Sequence, residues 1–163
     1  MTTKYIKRGH SVKLICLVII FAASYNVSFA QTVAKNQDLT FGIFCPTSSS
    51  GGSVTIASNG TRSATGNVFL FASSFTQATF TFSAGSRNRN VFSITTNSPR
   101  TLLRTGGGGS MVLTLGTPNP ATFIVNRNNT QVISIGGTLT VGSITANPPG
   151  SYSGTFALTF NFN

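Results

Sequence analysis

From Tyr152 onward the chain alternates. Tyr152, Phe156, Leu158, Phe160 and Phe162 share one face with Gly154 as the gap, and Ser153, Thr155, Ala157, Thr159 and Asn161 take the other. A period of two sends successive side chains to opposite sides of a pleated strand, so this stretch predicts a β-strand with one face buried and one in water. Pro148-Pro149-Gly150 precedes it. Two fixed φ angles followed by a permissive residue make the chain turn there.

The same grammar runs through the rest of the chain after residue 30. Short stretches of Val, Ile, Thr and Phe are separated by Gly, Ser, Asn and Pro, which predicts many short strands and no helix. Strands are expected over 38–44, 53–57, 67–72, 77–83, 90–95, 110–115 and 121–126. Ile133, Ile135, Leu139 and Val141 stay in phase across Gly136-Gly137, which reads as one strand bent at the glycine pair or as a tight hairpin, the bent strand being favoured. About nine or ten strands at this spacing imply two antiparallel sheets packed face to face, or a partly closed barrel. Phe41, Phe69, Phe71, Phe80, Phe82, Phe92, Phe123, Phe156 and Phe160 are read as inner-face residues and as the main core volume. No internal repeat of fixed period stands out.

Residues 1–30 read as an export signal. Lys4, Lys7, Arg8 and Lys13 form a basic region, residues 14–23 an apolar one, and Ser28-Phe29-Ala30 a small-residue site that predicts cleavage before Gln31. The apolar run is interrupted by Ser24 and Asn26, short of the roughly 20 residues a membrane span needs, so no stable span is expected after cleavage. Residues 31–163 are the size of one ordinary domain. This part carries Lys35 and six arginines against Asp38 alone, a formal charge of +6 of the +10 for the whole chain. Cys16 leaves with the signal, so Cys45 has no disulfide partner in its own chain.

This composition excludes most enzymes. Residues 31–163 contain no histidine and no glutamate, and one each of aspartate, lysine and cysteine. Acid–base catalysis needs groups that titrate near the working pH, and a metal site needs three or four side-chain ligands. No catalytic, cofactor-binding or metal-ligating residue is therefore assigned. Gly150-Ser151-Tyr152-Ser153-Gly154 has tyrosine where a serine nucleophile would stand, and Gly106 to Gly109 lacks the ending of a phosphate loop and reads as a hairpin tip. Asn59-Gly60-Thr61 and Asn128-Asn129-Thr130 read as turns. Cys45, without a neighbouring cation or helix N-terminus, reads as an inert thiol. Arg87 and Arg89 around a turn, with Arg100 and Arg104 flanking a short strand, form a candidate anion-binding set, the plainer reading being a solvated basic rim. No aromatic interleaving accompanies these arginines, which argues against nucleic acid.

Two late stretches, Ile135-Gly136-Gly137-Thr138-Leu139-Thr140-Val141 and Tyr152-Ser153-Gly154-Thr155-Phe156, form a pattern with the opening Asp38-Leu39-Thr40-Phe41-Gly42-Ile43 and with Gly52-Ser53-Val54-Thr55-Ile56. Together they resemble the bacterial exported family catalogued as domain of unknown function 4402, over nearly all of residues 31–163. The resemblance implies an exported all-β domain of Gram-negative bacteria, similar in outline to spore-coat U-type proteins and chaperone–usher pilins. Its implied fold is an antiparallel immunoglobulin-like or pilin-like β-sandwich, and its implied partners are like subunits or a periplasmic chaperone joined by β-strand addition. Phe156, Leu158, Phe160 and Phe162 are the candidate strand-pairing residues. The segment ahead of Leu39, with only Val33 and Ala34 as apolar residues, is short for a donor strand, and Cys45 alone excludes a disulfide of pilin type. The expected function is structural or adhesive, in the periplasm or on the outer surface. The alternative is a soluble periplasmic module that holds anionic glycan or lipid headgroups through its arginines.

Overall fold

The computed structural model describes residues 30–163; apart from Ala30, the stretch read as an export signal lies outside the described residues. Every element is a strand and every pairing is antiparallel. One three-stranded sheet has the order β1 (Thr32–Gln37), β6 (Ala78–Ser83), β11 (Thr130–Ile135); another has β10 (Phe123–Val125), β7 (Arg89–Thr96), β14 (Leu158–Phe162). A six-stranded sheet runs β13 (Tyr152–Ser153), β8 (Arg100–Arg104), β9 (Ser110–Leu115), β12 (Gly137–Val141), β3 (Gly52–Ile56), β4 (Arg62–Gly66), and β2 (Phe44–Pro46) pairs with β5 (Val68–Leu70) in a ribbon. These sheets close over one core as an antiparallel β-sandwich.

Binary patterning explains the central strands. Met111, Leu113 and Leu115 of β9 point inward and alternate with exposed Ser110, Val112 and Thr114. β12 does the same with Leu139 and Val141, and its ladder to β3 sets Leu139 opposite buried Val54. A one-residue slip would exchange the two faces, so burial fixes the register.

Between β11 and β12 stands only Gly136, and the two strands belong to different sheets. The chain is thus one strand bent at the glycine pair, not a hairpin. A Cβ at Gly136 would collide with the Ile56 carbonyl oxygen, so only glycine lets the bend press against β3.

The structure corrects three expectations. The C-terminal stretch is not one strand: β13 pairs with β8, and β14 pairs with β7 in another sheet. Its alternation persists across the break because both sheets face one core, and alternation reports the face, not the ladder partner. Phenylalanine is not the main core volume either. The most deeply buried side chains are aliphatic apart from Phe82, and Phe69, Phe71 and Phe92 are exposed. Val91 takes the inner position on β7 and turns Phe92 outward, as Val68 and Leu70 do for Phe69; Phe71 packs edge-on against Phe69, with ring centroids 5.0 Å apart. Finally, the strand expected over 38–44 is reduced to the bridge Thr40–Thr76 and to β2, because Gly42 takes a φ of 71° that breaks an extended run. The segment ahead of it, by contrast, forms β1.

Candidate functional site at an open edge of the sandwich

The site grows from an aromatic cluster. Phe82, on the central strand β6, meets Phe123 of β10 at 5.5 Å and Phe160 and Phe162 of β14 at 5.6 and 6.4 Å between centroids. Phe80 meets Phe156 edge-on at 6.3 Å. These contacts set the two three-stranded sheets face to face, with β1 on the edge of one and β14 on the edge of the other.

Among the described residues neither edge is capped by a further strand: β1 pairs only with β6 and β14 only with β7. Between them lies a cleft of about 210 Å³ lined by Val33, Lys35, Phe80, Phe156, Leu158 and Phe160. In the β1–β6 register Val33 lies opposite Phe82 and Lys35 opposite Phe80, so both strands present these residues on the same face. Lys35 also pairs with exposed Asp38 at 2.7 Å, an ion pair of the kind that contributes about 0–1 kcal/mol. An edge strand carries a row of unpaired N–H and C=O groups, and the apolar cleft beside it supplies seats for alternate side chains of an incoming strand.

Of the four strand-pairing candidates, Leu158, Phe160 and Phe162 lie on β14, whereas Phe156 precedes it in the crossing from β13. All four are half-buried. β1 was the part that sequence reasoning missed: five of its six residues are exposed, so no buried face stamps a pattern on it. Its one cue is the spacing of Val33 and Lys35.

The arginines divide by location and task. Arg100 Nε donates to the Thr155 carbonyl at 3.1 Å, and Arg104 donates from Nε and Nη2 to the Pro149 carbonyl and from Nη1 to that of Gly107. Both fasten the chain around β13 to β8. Arg87 sits exposed in the turn before β7, and Arg89 lies over the Phe162 ring with its guanidinium carbon 5.3 Å from the centroid. A further arginine went unremarked in the sequence. Arg62 donates from Nη2 to the Ile43 carbonyl at 2.6 Å and from Nη1 to that of Phe71, and it lies over Phe75. Desolvation by burial lowers its pKa from the ordinary arginine value. Nothing in the sequence around Arg62 distinguishes a clamp from a solvated cation. Among the described residues no cluster of three or more His, Cys, Asp or Glu could hold a metal ion.

The fold and the site together define an antiparallel β-sandwich with an unpaired edge on each side of an apolar cleft. The family model described as domain of unknown function (DUF4402) matches residues 31–162, and the chain belongs to that family. Comparisons with curated proteins and with solved structures return no significant match.

Proposed function

We propose that this is a non-catalytic envelope protein, structural or adhesive, exported to the periplasm or outer surface of a Gram-negative cell. Its domain joins like subunits or a periplasmic chaperone by strand addition at the β1–β14 edge. The observation that carries this reading is the pair of unpaired edges flanking an apolar cleft. Backbone pairing supplies affinity in such an assembly, and the cleft supplies selectivity through the side chains it admits. The inventory of titratable groups in residues 31–163 supports a role without catalysis. The alternative partner, an anionic glycan or lipid headgroup, would find Arg100 and Arg104 already donating to backbone carbonyls.

Hydrogen exchange tests the proposal. In the isolated protein the outward amides of β14 are expected to exchange fast, and in the assembled form to be protected. Phe160→Asp is expected to abolish assembly because it sets a charge in the cleft; circular dichroism and a urea melt establish that the variant remains folded. Full protection of residues 158–162 in a protein that stays monomeric at high concentration would overturn the reading. Export carries its own expectation: the intact mass of the protein recovered outside the cytoplasm corresponds to a chain starting at Gln31, and a product starting at Met1 would count against it.

A further inference from the structure

A second and larger cleft, of about 650 Å³, lies away from the β1–β14 edge. Its lining combines side chains of the six-stranded sheet, among them Leu102, Met111 and Leu139, with residues 39–46 and with the stretch 144–154 leading through β13. The volume falls in the range of small-molecule sites, roughly 300–1,000 Å³. No charged side chain is among its lining residues.

Many polar groups of both walls are already engaged by the protein. Asn147 accepts from the Gly142 amide through Oδ1 and donates through Nδ2 to the carbonyls of Ser110 and Ala146. The Tyr152 hydroxyl donates to the Pro148 carbonyl, Arg104 to that of Pro149, and the Thr105 amide to that of Ser151. On the opposite wall the Ile43 carbonyl accepts from Arg62 and from the Phe71 amide, and the Ile43 amide donates to Ser73. A sugar or headgroup entering this space would lose water and find these groups already bonded. Apolar surface entering it needs no hydrogen-bond partner of its own and covers exposed side chains, because Ile43 and Ile144 are 62% and 57% exposed where they line the cleft.

The geometry points to a binding site for an unbranched alkyl chain, carried by a free fatty acid or by a membrane lipid. The basic charge of the surrounding domain favours an anionic head outside the cleft over a cationic one. Cys45 lines the cleft and is partly exposed, which makes its thiol a built-in reporter of occupancy.

The experiment titrates the purified protein with sodium carboxylates of eight, ten and twelve carbons below their micelle concentrations. Binding is read by calorimetry and by the rate of Cys45 alkylation with iodoacetamide, mapped by peptide mass. About fourfold tighter binding is expected per added CH₂, the fold-change that corresponds to roughly 0.8 kcal/mol of buried methylene at 1.4 kcal/mol per tenfold. Alkylation of Cys45 should slow at least about tenfold at saturation, a loss of binding-free thiol that follows occupancy of roughly nine sites in ten. Ile43→Asp and Ile144→Asp should each weaken binding, whereas Ile124→Asp, on β10 and 74% exposed, should leave it unchanged. All three positions are exposed enough that the charge does not enter the core. Co-sedimentation with phosphatidylglycerol vesicles separates the sources: capture with Cys45 shielded assigns the chain to a lipid, and binding of the carboxylates without capture assigns it to a free acid. Affinity independent of chain length, an unshielded Cys45, or an equal loss in Ile124→Asp would overturn the site.

Discussion

Phe82→Ala is expected to destabilise the domain by about 3–5 kcal/mol, the range for removing a fully buried phenylalanine. Phe82 is 1% exposed, and its ring touches Phe123, Phe160 and Phe162, so one side chain holds β6 against both β10 and β14. Strands on two sheets line the space it would vacate, and they cannot close inward without breaking ladders to β7. The cavity therefore persists, and its cost adds to the lost transfer energy. Phe156→Ala should cost less, about 1–3 kcal/mol, because Phe156 is only half-buried. Phe92→Ala and Phe69→Ala, on exposed faces, should stay within about 0.5 kcal/mol. Urea denaturation with a common m-value checks the order, and a larger loss from Phe92→Ala than from Phe82→Ala would mean that the faces of β6 and β7 have been exchanged.

That ranking also marks where the sequence speaks clearly. Wherever a strand buries one face, as in residues 110–115 and 158–162, period-two patterning announces both the element and its orientation. Phenylalanine identity did not locate the core. Phe92 follows Val91 and Phe69 lies between Val68 and Leu70, so the smaller aliphatic residue holds the inner position and the ring points out. The candidate site was legible in part. Leu158, Phe160 and Phe162 stand out in any reading, but β1 is exposed along nearly its whole length, and an element with no buried face leaves no periodic trace. The arginines show the converse. Their charge is plain in the sequence, yet apart from the Arg104 bond to Gly107, Arg62, Arg100 and Arg104 are bound to carbonyls 9 to 55 residues away, a separation that no local pattern encodes.

Gly136→Ala is expected to destabilise the protein by about 3 kcal/mol or more, at or above the usual range for forcing extra volume into a packed site. Gly136 is the one residue between β11 and β12, where the chain passes from the three-stranded sheet to the six-stranded one. A methyl group there would overlap the Ile56 carbonyl oxygen and lie 2.7 Å from the Ala57 carbonyl carbon, both backbone atoms at the end of β3. A side chain could swing aside, but these atoms are held by the ladder from β12 to β3 and by the Ala57 amide bonded to the Thr61 carbonyl. Relief then requires moving β3 away from β12 and opening the core around Val54, Ile56 and Leu139. Gly116 supplies the control. Its amide donates to the Gly136 carbonyl at 3.0 Å, yet a Cβ on Gly116 would meet only atoms at 3.6 and 3.7 Å, ordinary contact. Gly116→Ala should therefore be close to neutral, within about 0.5 kcal/mol, and the difference between the two variants isolates the collision with β3 from the general effect of stiffening a glycine. Equal urea midpoints for the two variants would show that the bend at Gly136 tolerates a side chain and that the close approach to β3 does not hold the two sheets in place.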